Sequence, residues 1–455
     1  MFDLTSERDQ QFRRMHEVAR EIFTSALKNA SIENAFARNV HCERRVLRIG
    51  DDLYDLDSYN RVFVVSIGKA AHAMAAALEA RLGSNLEGIV ASAFEPASQM
   101  PSSQVRGFRY FRGGHPTPTD ESILAADAIL KSLTALDPAS LAIFMISGGG
   151  SSIVEKPVVS LNDDEISLPD LVATYRTLVH SGAPIAEINA IRKHLSAVKG
   201  GRLAQAAYPA QQVSILVSDV PDNTPDALAS GPTMPDSTSI NDCERIAAKY
   251  NLIDQFPSSV ADLFRQHALD ETPKSDDPAF VRARWWTVLS NKVAIDEAVI
   301  AANRTGFAVE VDNSCDDWPY DKAAAYLLNR LRGLRSKVSR VCLISGGEVT
   351  VVVRNGGVGG RNQQFALACA EQISGNDITV LSAGTDGIDG NSPAAGAIVD
   401  GSTLARAGDP VGGPEAVRHA LSTFNAYPLF DALGDTVLTG PTGNNLRDLR
   451  ILLAY

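Results

Sequence analysis

Two apolar runs that each end in a Ser-Gly-Gly turn set the tightest limit on how this chain can fold: LAIFMI leads into SGGGSS at Ser147 to Ser152, and RVCLI leads into SGGEVT at Ser345 to Thr350. An unbroken apolar strand is buried on both faces, which calls for helices above and below a largely parallel sheet. Glycines directly after such a strand let the backbone turn sharply and bring bare N–H groups against an anion at the sheet's carboxyl edge. The rest of the chain alternates in the same way. RVFVVSI precedes KAAHAMAAALEARL, while LEGIVAS, LAIFMI and VSILVSD frame a helical LPDLVATYRTLVHSG. Later, TVLS, FAVEVDN, RVCLIS, EVTVVVR and ITVLSAG alternate with NKVAIDEAVIAANRTG and NQQFALACAEQIS before a final LRDLRILLAY. The pattern predicts two α/β domains with largely parallel sheets: residues 8–236, a helical and loop connector over 237–284 where the apolar runs thin out, and residues 285–455. No fixed-period repeat accompanies the two turns, which argues against a solenoid.

The 455 residues are 45% hydrophobic and 21% charged, enough apolar material for more than one core. A formal charge of -12 argues against nucleic acid or an anionic membrane as partner and leaves small-molecule substrates, with a homodimer open. Any anionic ligand then needs a local basic pocket. Five cysteines without CxxC spacing leave at least one unpaired in any intramolecular disulfide scheme, which suits a reducing compartment. The start MFDLTSERDQQFRRMHEVAR carries charge where a signal peptide is apolar, and no run reaches membrane-spanning length. A cytoplasmic protein is the expectation.

Lys69 lies in VVSIGKAAHAM, where a strand meets Gly68 and an alanine-rich helix begins. A cation is disfavoured at a helix start unless an anion joins it, which marks Lys69 as a phosphate or carboxylate contact over an ordinary exposed lysine. The segment is not a Walker A loop, since Phe63 stands where the first glycine belongs and Ala70 follows the lysine. In SGGGSS, Ser147, Gly148, Gly149, Gly150 and Ser151 offer close backbone approach, and Gly346 and Gly347 repeat the offer. Arg361 opens a helix after GGVGG, placing a guanidinium that can fork onto carboxylate or phosphate. NAIRKHLSAVKGGRLA concentrates Arg192, Lys193, His194, Lys199 and Arg202 in an otherwise acidic chain, which favours an anion site, with Asn189, Arg192, Lys193 and Lys199 as the substrate-binding candidates. Read as helical up to Lys199, it puts Arg192, Ser196 and Lys199 on one face. His194 in the same segment reads as a hydrogen-bonding structural histidine. Asp219 with Asp222, and Asp386 with Asp389, follow apolar strands at carboxyl ends; Asp219 and Asp386 are the candidates for magnesium or for accepting a hydroxyl proton, while Asp222 and Asp389 fit turns or caps as well. SGPT at Ser230 to Thr233, TGPTGNN at Thr439 to Asn445 and GGHPTPTD at Gly113 to Asp120 read as rigid turns, His115 included.

Taken together, SIGKAAHAM, GGHPTP, ISGGGSS, NAIRKHLSAVKGGRLA, SDV with ASGPT, SGGEVTV with GGRNQQ, GTDGIDG with AAGAIVD, and TGPTGNN resemble, in order, the glycerate 2-kinase family, whose C-terminal part is the MOFRL domain and whose members were often labelled hydroxypyruvate reductases. The resemblance spans most of the chain. It implies two α/β domains with an interdomain active-site cleft, transfer of phosphate from ATP to the 2-hydroxyl of D-glycerate with Mg2+ or another divalent cation, and Lys69 and Arg361 as cleft residues. Departures occur at Pro221 to Pro225 after SDV, at Asn391 to Pro393 after GTDGIDG, and at Thr119 and Asn444. Two alternatives stand beside the kinase. A nicotinamide-dependent hydroxypyruvate reductase would need a dinucleotide site, yet the chain has no GxGxxG. A catalytically silent nucleotide- or hydroxyacid-binding homologue would keep the fold and lose turnover.

Overall fold

The computed structural model describes residues 7–94, 107–159, 166–353, 356–408 and 412–455. The chain divides into two compact units, Ile32–Val288 and a composite of Met1–Ser31 with Leu289–Tyr455. Helix α1 (Glu7–Asn29) explains the composite. It buries Phe12, Met15, Ala19, Ile22, Phe23 and Ala26 at spacings of three and four, a single apolar stripe. That stripe packs against Ile295, Ala298, Ile344 and Ile451 of the C-terminal half. The expected first domain from residue 8 is corrected accordingly: amphipathic spacing shows that α1 needs a partner, not which sheet supplies it.

The unit Ile32–Val288 begins with α2 (Ile32–Asn39) and a small antiparallel meander of β1 (Val40–Glu43), β2 (Val46–Ile49) and β3 (Asp52–Asp55). The main sheet follows: β4 (Arg61–Ile67), α3 (Ala71–Leu82), β5 (Glu87–Ser92), β6 (Phe108–Arg112), α4 (Asp120–Leu133), β7 (Ser140–Ser147), α5 (Gly150–Ile153), α6 (Leu168–His180), α7 (Ile185–His194), α8 (Arg202–Ala207), β8 (Gln211–Val217), α9 (Ile240–Lys249), α10 (Ser258–Arg265) and β9 (Ala283–Leu289). Strand order is β6-β5-β4-β7-β8-β9, and β4 runs parallel to β5 and β7, β5 to β6, and β7 to β8. The chain winds outward from β4 through β6, then returns to start again at β7. The carboxyl ends of β4 and β7 therefore form a topological switch point, where an open α/β sheet leaves a crevice. All eight residues of β7 are buried, as its apolar run requires. The expected connector 237–284 is instead part of this unit: α9 and α10 bury Cys243, Ile246, Val260 and Phe264 with Leu171 and Ile191 of α6 and α7.

The composite unit adds α11 (Asn291–Arg304), β10 (Ala308–Val311), α12 (Tyr320–Arg335), β11 (Val341–Gly347), α13 (Arg361–Ile373), β12 (Ile378–Gly384), β13 (Gly396–Asp400), β14 (Thr436–Val437) and β15 (Asp448–Ala454). Its order is β10-β11-β15-β12-β13-β14, with β10 parallel to β11 and the remaining pairings antiparallel. The largely parallel arrangement thus belongs to the first sheet. In the second, the C-terminal strand β15 inserts between β11 and β12 against both and makes the sheet mixed. EVTVVVR does not form the expected strand: Thr350 makes an isolated bridge to Pro319, the stretch to Val353 is irregular, and Arg354 lies outside the described residues. All five cysteines are free thiols, and no helix among the described residues is long and apolar enough to cross a membrane.

Candidate active site

Two loops are laced together at the switch point. After β4, Gly68 takes φ +118°, and a Cβ there would meet Ser147 Oγ at 2.3 Å and the Ser147 carbonyl oxygen at 2.5 Å, so only glycine fits. Lys69 N–H donates to the Gly148 carbonyl at 2.9 Å, Ala70 N–H donates to Ser147 Oγ at 3.1 Å, and Ser147 Oγ donates to the Ile67 carbonyl. Ser147 is buried and its hydroxyl is spent within this lacing, so that hydroxyl is not available to a phosphate. Gly148 and Gly149 are the approach points. A Cβ on Gly148 would lie 1.9 Å from Asp219 Oδ2, and one on Gly149, which is left-handed at φ +82°, would lie 3.1 Å from Lys69 Cγ and 3.4 Å from His115 Nδ1. The sheet edge therefore gathers Lys69, His115, Asp219 and the glycine backbone. His115 Nδ1 shares a hydrogen bond of 3.2 Å with Ser152 Oγ; partial burial, and then the Lys69 charge, push its pKa below the ordinary histidine value. Ser151 Oγ lies 3.0 Å from Ser230 Oγ. Ala229 and Ser230 adopt positive φ, a strained conformation for residues with a Cβ, and a Cβ on Gly150 would lie 2.8 Å from that of Ala229. The SGPT turn is thus part of the site wall.

A cavity of about 420 Å³ opens beside this loop, lined among others by His115, Gly149, Ser151, Tyr175, Arg176 and Arg192. Of the basic segment after Asn189, only Arg192 reaches it; Asn189 is half-buried on the same helix. α7 ends at His194, so the expected single face of Arg192, Ser196 and Lys199 does not form, and Ser196 bridges Pro157 instead. Lys193 is buried between Asp226 and Asp236, 3.1 Å from each. Lys199 is buried against Glu155, which also accepts from Tyr175 Oη and Ser196 Oγ at 2.6 Å each. Burial pulls the Lys199 pKa down while Glu155 pulls it up, and the net shift is downward. Both lysines are removed from the substrate-binding set, because a buried cation is held by its own carboxylates. His194 is structural as expected, bonded to the Ala190 carbonyl and Glu271 at 2.8 Å each.

In the composite unit the second Ser-Gly-Gly turn is closed. The Gly346 N–H donates to Asn313 Oδ1 at 2.8 Å, the Gly347 N–H to Asn291 Oδ1 at 2.9 Å, and both carbonyls accept from Arg450. The expected phosphate role of Gly346 and Gly347 is corrected: these donors are already spent. Arg361 forks as expected, but onto Asp448, with Nε and Nη2 at 2.7 and 2.9 Å, and Nη2 also reaches Glu348 at 2.8 Å. Burial opposes the charge, yet the Asp448 and Glu348 carboxylates outweigh it and hold the guanidinium pKa above its ordinary value. Nη1 is the nitrogen left without a bond among the described residues. Asp389 is buried and receives the Asn362 and Gln363 N–H groups at the start of α13, at 3.0 and 2.9 Å; burial raises its pKa to about 6. That carboxylate takes the place an exogenous anion would want. Asp386 Oδ1 accepts the Ile388 N–H in an Asx turn. A Cβ on Gly384 would lie 3.0 Å from Asp386 Oδ1 and 3.6 Å from Asp448 Oδ1, so the two carboxylates are neighbours. Asp448, Glu348, Tyr175, Arg176 and Glu155 were not anticipated. Only the composition of LRDLRILLAY, a charge pair inside an apolar strand, signalled the first of them.

Among the described residues, no group of three or more His, Cys, Asp or Glu side chains forms a metal cage. Magnesium needs only one or two carboxylates beside phosphate oxygens and water, so the Asp219 carboxylate against the glycine loop fits that donor set.

A doubly wound sheet with a glycine-laced switch point, followed by a mixed α/β unit, defines a two-unit α/β class with a crevice at the carboxyl edge of its first sheet. Residues 18–265 match a family model described as a domain of unknown function (DUF4147), and residues 341–448 match the MOFRL family. A D-glycerate 2-kinase of Thermotoga maritima is 34% identical over 86% of this chain and 90% of that protein. A protein of Agrobacterium vitis, provisionally named a hydroxypyruvate reductase, is 35% identical over 96% of this chain and 94% of its own length. The crystal structure of a glycerate kinase from Thermotoga maritima superimposes with a TM-score of 0.82 at 31% identity, covering 97% of this chain and 100% of that one. The chain belongs to the glycerate 2-kinase family.

Proposed function

We propose that this protein is an ATP-dependent kinase that phosphorylates D-glycerate on the 2-hydroxyl to give 2-phosphoglycerate. The observation that carries this reading is the gathering of Lys69, Asp219, His115 and the Gly148–Gly149 backbone at one sheet edge, in a chain of this family. Phosphoryl transfer needs positioning and charge neutralisation more than covalent chemistry, and these groups supply both. Lys69 and the glycine backbone bind the transferring phosphoryl group. Asp219 would hold magnesium, which when bound neutralises phosphate charge; Asp386 remains the metal candidate within its own unit. His115, kept neutral by its lowered pKa, accepts the proton of the attacking 2-hydroxyl. Arg192 receives the substrate carboxylate from the cavity wall, Asn189 is dropped from that role because it does not line the cavity, and Arg361 offers Nη1 to phosphate or carboxylate within its own unit.

Incubation with ATP, magnesium and D-glycerate, followed by phosphorus NMR of the product, tests the reading. A 2-phosphorylated acid is expected; a 3-phosphorylated product, or none, contradicts it. The name of the Agrobacterium relative favours a second reading, reduction of hydroxypyruvate by a nicotinamide cofactor. Consumption of NADH with hydroxypyruvate, in the absence of ADP release with D-glycerate, would establish that reading instead.

A further inference from the structure

Helix α6 presents one face to the cavity: Val172, Tyr175, Arg176, Val179 and His180 recur at spacings of three, four, seven and eight residues. Tyr175 is the anchor of that face. Its hydroxyl is fixed by Glu155 at 2.6 Å, and Glu155 is fixed in turn by Lys199 and by Ser196 at 2.6 Å. The Arg192 guanidinium lies over the Tyr175 ring, 4.8 Å from its centre, and Arg192 Nε is buried without a hydrogen-bond partner. An arginine in this state is oriented by an aromatic face and not by a carboxylate, so its charge stays available to a ligand. The contrast with Lys193 and Lys199, both consumed by internal carboxylates, singles Arg192 out within its own segment. Arg176, the residue after Tyr175 on α6, lines the same cavity.

We infer that Arg192 and Arg176 together form the receptor for the hydroxyacid carboxylate, and that Tyr175, locked by the buried Glu155–Lys199 pair, is the positioning residue that aims Arg192 at it. This inference rests on the kinase reading for the identity of the acid. The buried pair contributes to recognition without touching substrate: it holds the ring, and the ring holds the guanidinium.

The test is steady-state kinetics of the full chain with D-glycerate and ATP varied separately, together with calorimetric titration of D-glycerate alone at low salt. Tyr175→Leu, which removes the ring, is expected to raise the KM for D-glycerate about tenfold while the KM for ATP and kcat stay within about twofold. Tyr175→Phe, which keeps the ring but loses its bond to Glu155, should fall between, with a rise of about threefold. Arg176→Ala, at an exposed position where misfolding is not a concern, should raise the same KM several-fold. The inference is overturned if the KM shift falls on ATP, which would assign the arginines to nucleotide phosphate, or if Leu and Phe at position 175 lower thermal stability alike with no split between the two substrates. Should the wild-type chain bind D-glycerate but not phosphorylate it, the kinase reading fails. Weakened calorimetric binding in Tyr175→Leu would still support the receptor.

Discussion

The two Ser-Gly-Gly turns look nearly interchangeable as sequence, yet they end in opposite states. At Gly148 and Gly149 the backbone faces Asp219, Lys69 and His115, all ionisable side chains. At Gly346 and Gly347 the same backbone is sealed: Asn313 and Asn291 take the N–H groups, and Arg450 takes the carbonyls. The cations follow suit. Lys69 has no carboxylate bound to it among the described residues, whereas Arg361 is clamped by Asp448 and Glu348. A glycine turn after a buried strand is therefore a capacity to bind an anion, and the side chains brought to it from elsewhere decide whether that capacity remains open or is used to hold the fold.

The largest effect that could break this contrast lies at Lys69. Lys69→Ala should lower kcat/KM by about a thousandfold, as loss of a charge-stabilising group at a transferring phosphoryl does, with thermal stability unchanged. Turnover near the wild-type value in a folded Lys69→Ala protein removes the residue from the mechanism. Arg361 should behave differently. Arg361→Ala leaves the fully buried Asp448 with Arg450, 3.5 Å away, as its one remaining cation among the described residues, so a stability loss of about 3 kcal/mol is expected in denaturant unfolding in addition to any loss of activity. An Arg361→Ala protein as stable as wild type would mean that the clamp is not structural.

A smaller effect reports on the open turn itself. Because partial burial and the Lys69 charge both depress the His115 pKa, the imidazole is neutral in the folded chain at pH 7. A depressed histidine contributes stability that is present above its unfolded pKa of about 6.5 and is lost as pH falls through the lower folded value. Removing the Lys69 charge in Lys69→Met should move the His115 titration upward in proton NMR, and an unmoved titration would separate the two side chains.

The geometry of the open turn was legible because its signals are local. VVSIGKAA and LAIFMISGGGSS each combine a buried strand, a glycine turn and a candidate residue within a dozen positions, and winding order then places both strand ends together. What local sequence does not show are partners far along the chain. Lys193 meets Asp226 and Asp236, 33 and 43 residues away, and Lys199 meets Glu155, 44 residues away, so a basic segment that reads as an anion site is mostly internal ion pairs. Gly347 is sealed by Asn291 from 56 residues upstream, and Arg361 is held by Asp448 from 87 residues downstream. Likewise α1 showed its stripe but not its destination. Periodicity reports that a face must be covered; it carries no information on the identity of the cover.

The most direct test is calorimetric titration of a non-hydrolysable ATP analogue into two glycine variants. Gly148→Ala places a methyl group 1.9 Å from Asp219 Oδ2, and Gly346→Ala places one 2.0 Å from Asn291 Oδ1. Gly148→Ala is expected to weaken nucleotide binding by at least about tenfold, while Gly346→Ala binds like wild type and loses thermal stability instead. Intact nucleotide affinity in Gly148→Ala, with affinity lost in a folded Gly346→Ala, would reverse the assignment of the open and sealed turns.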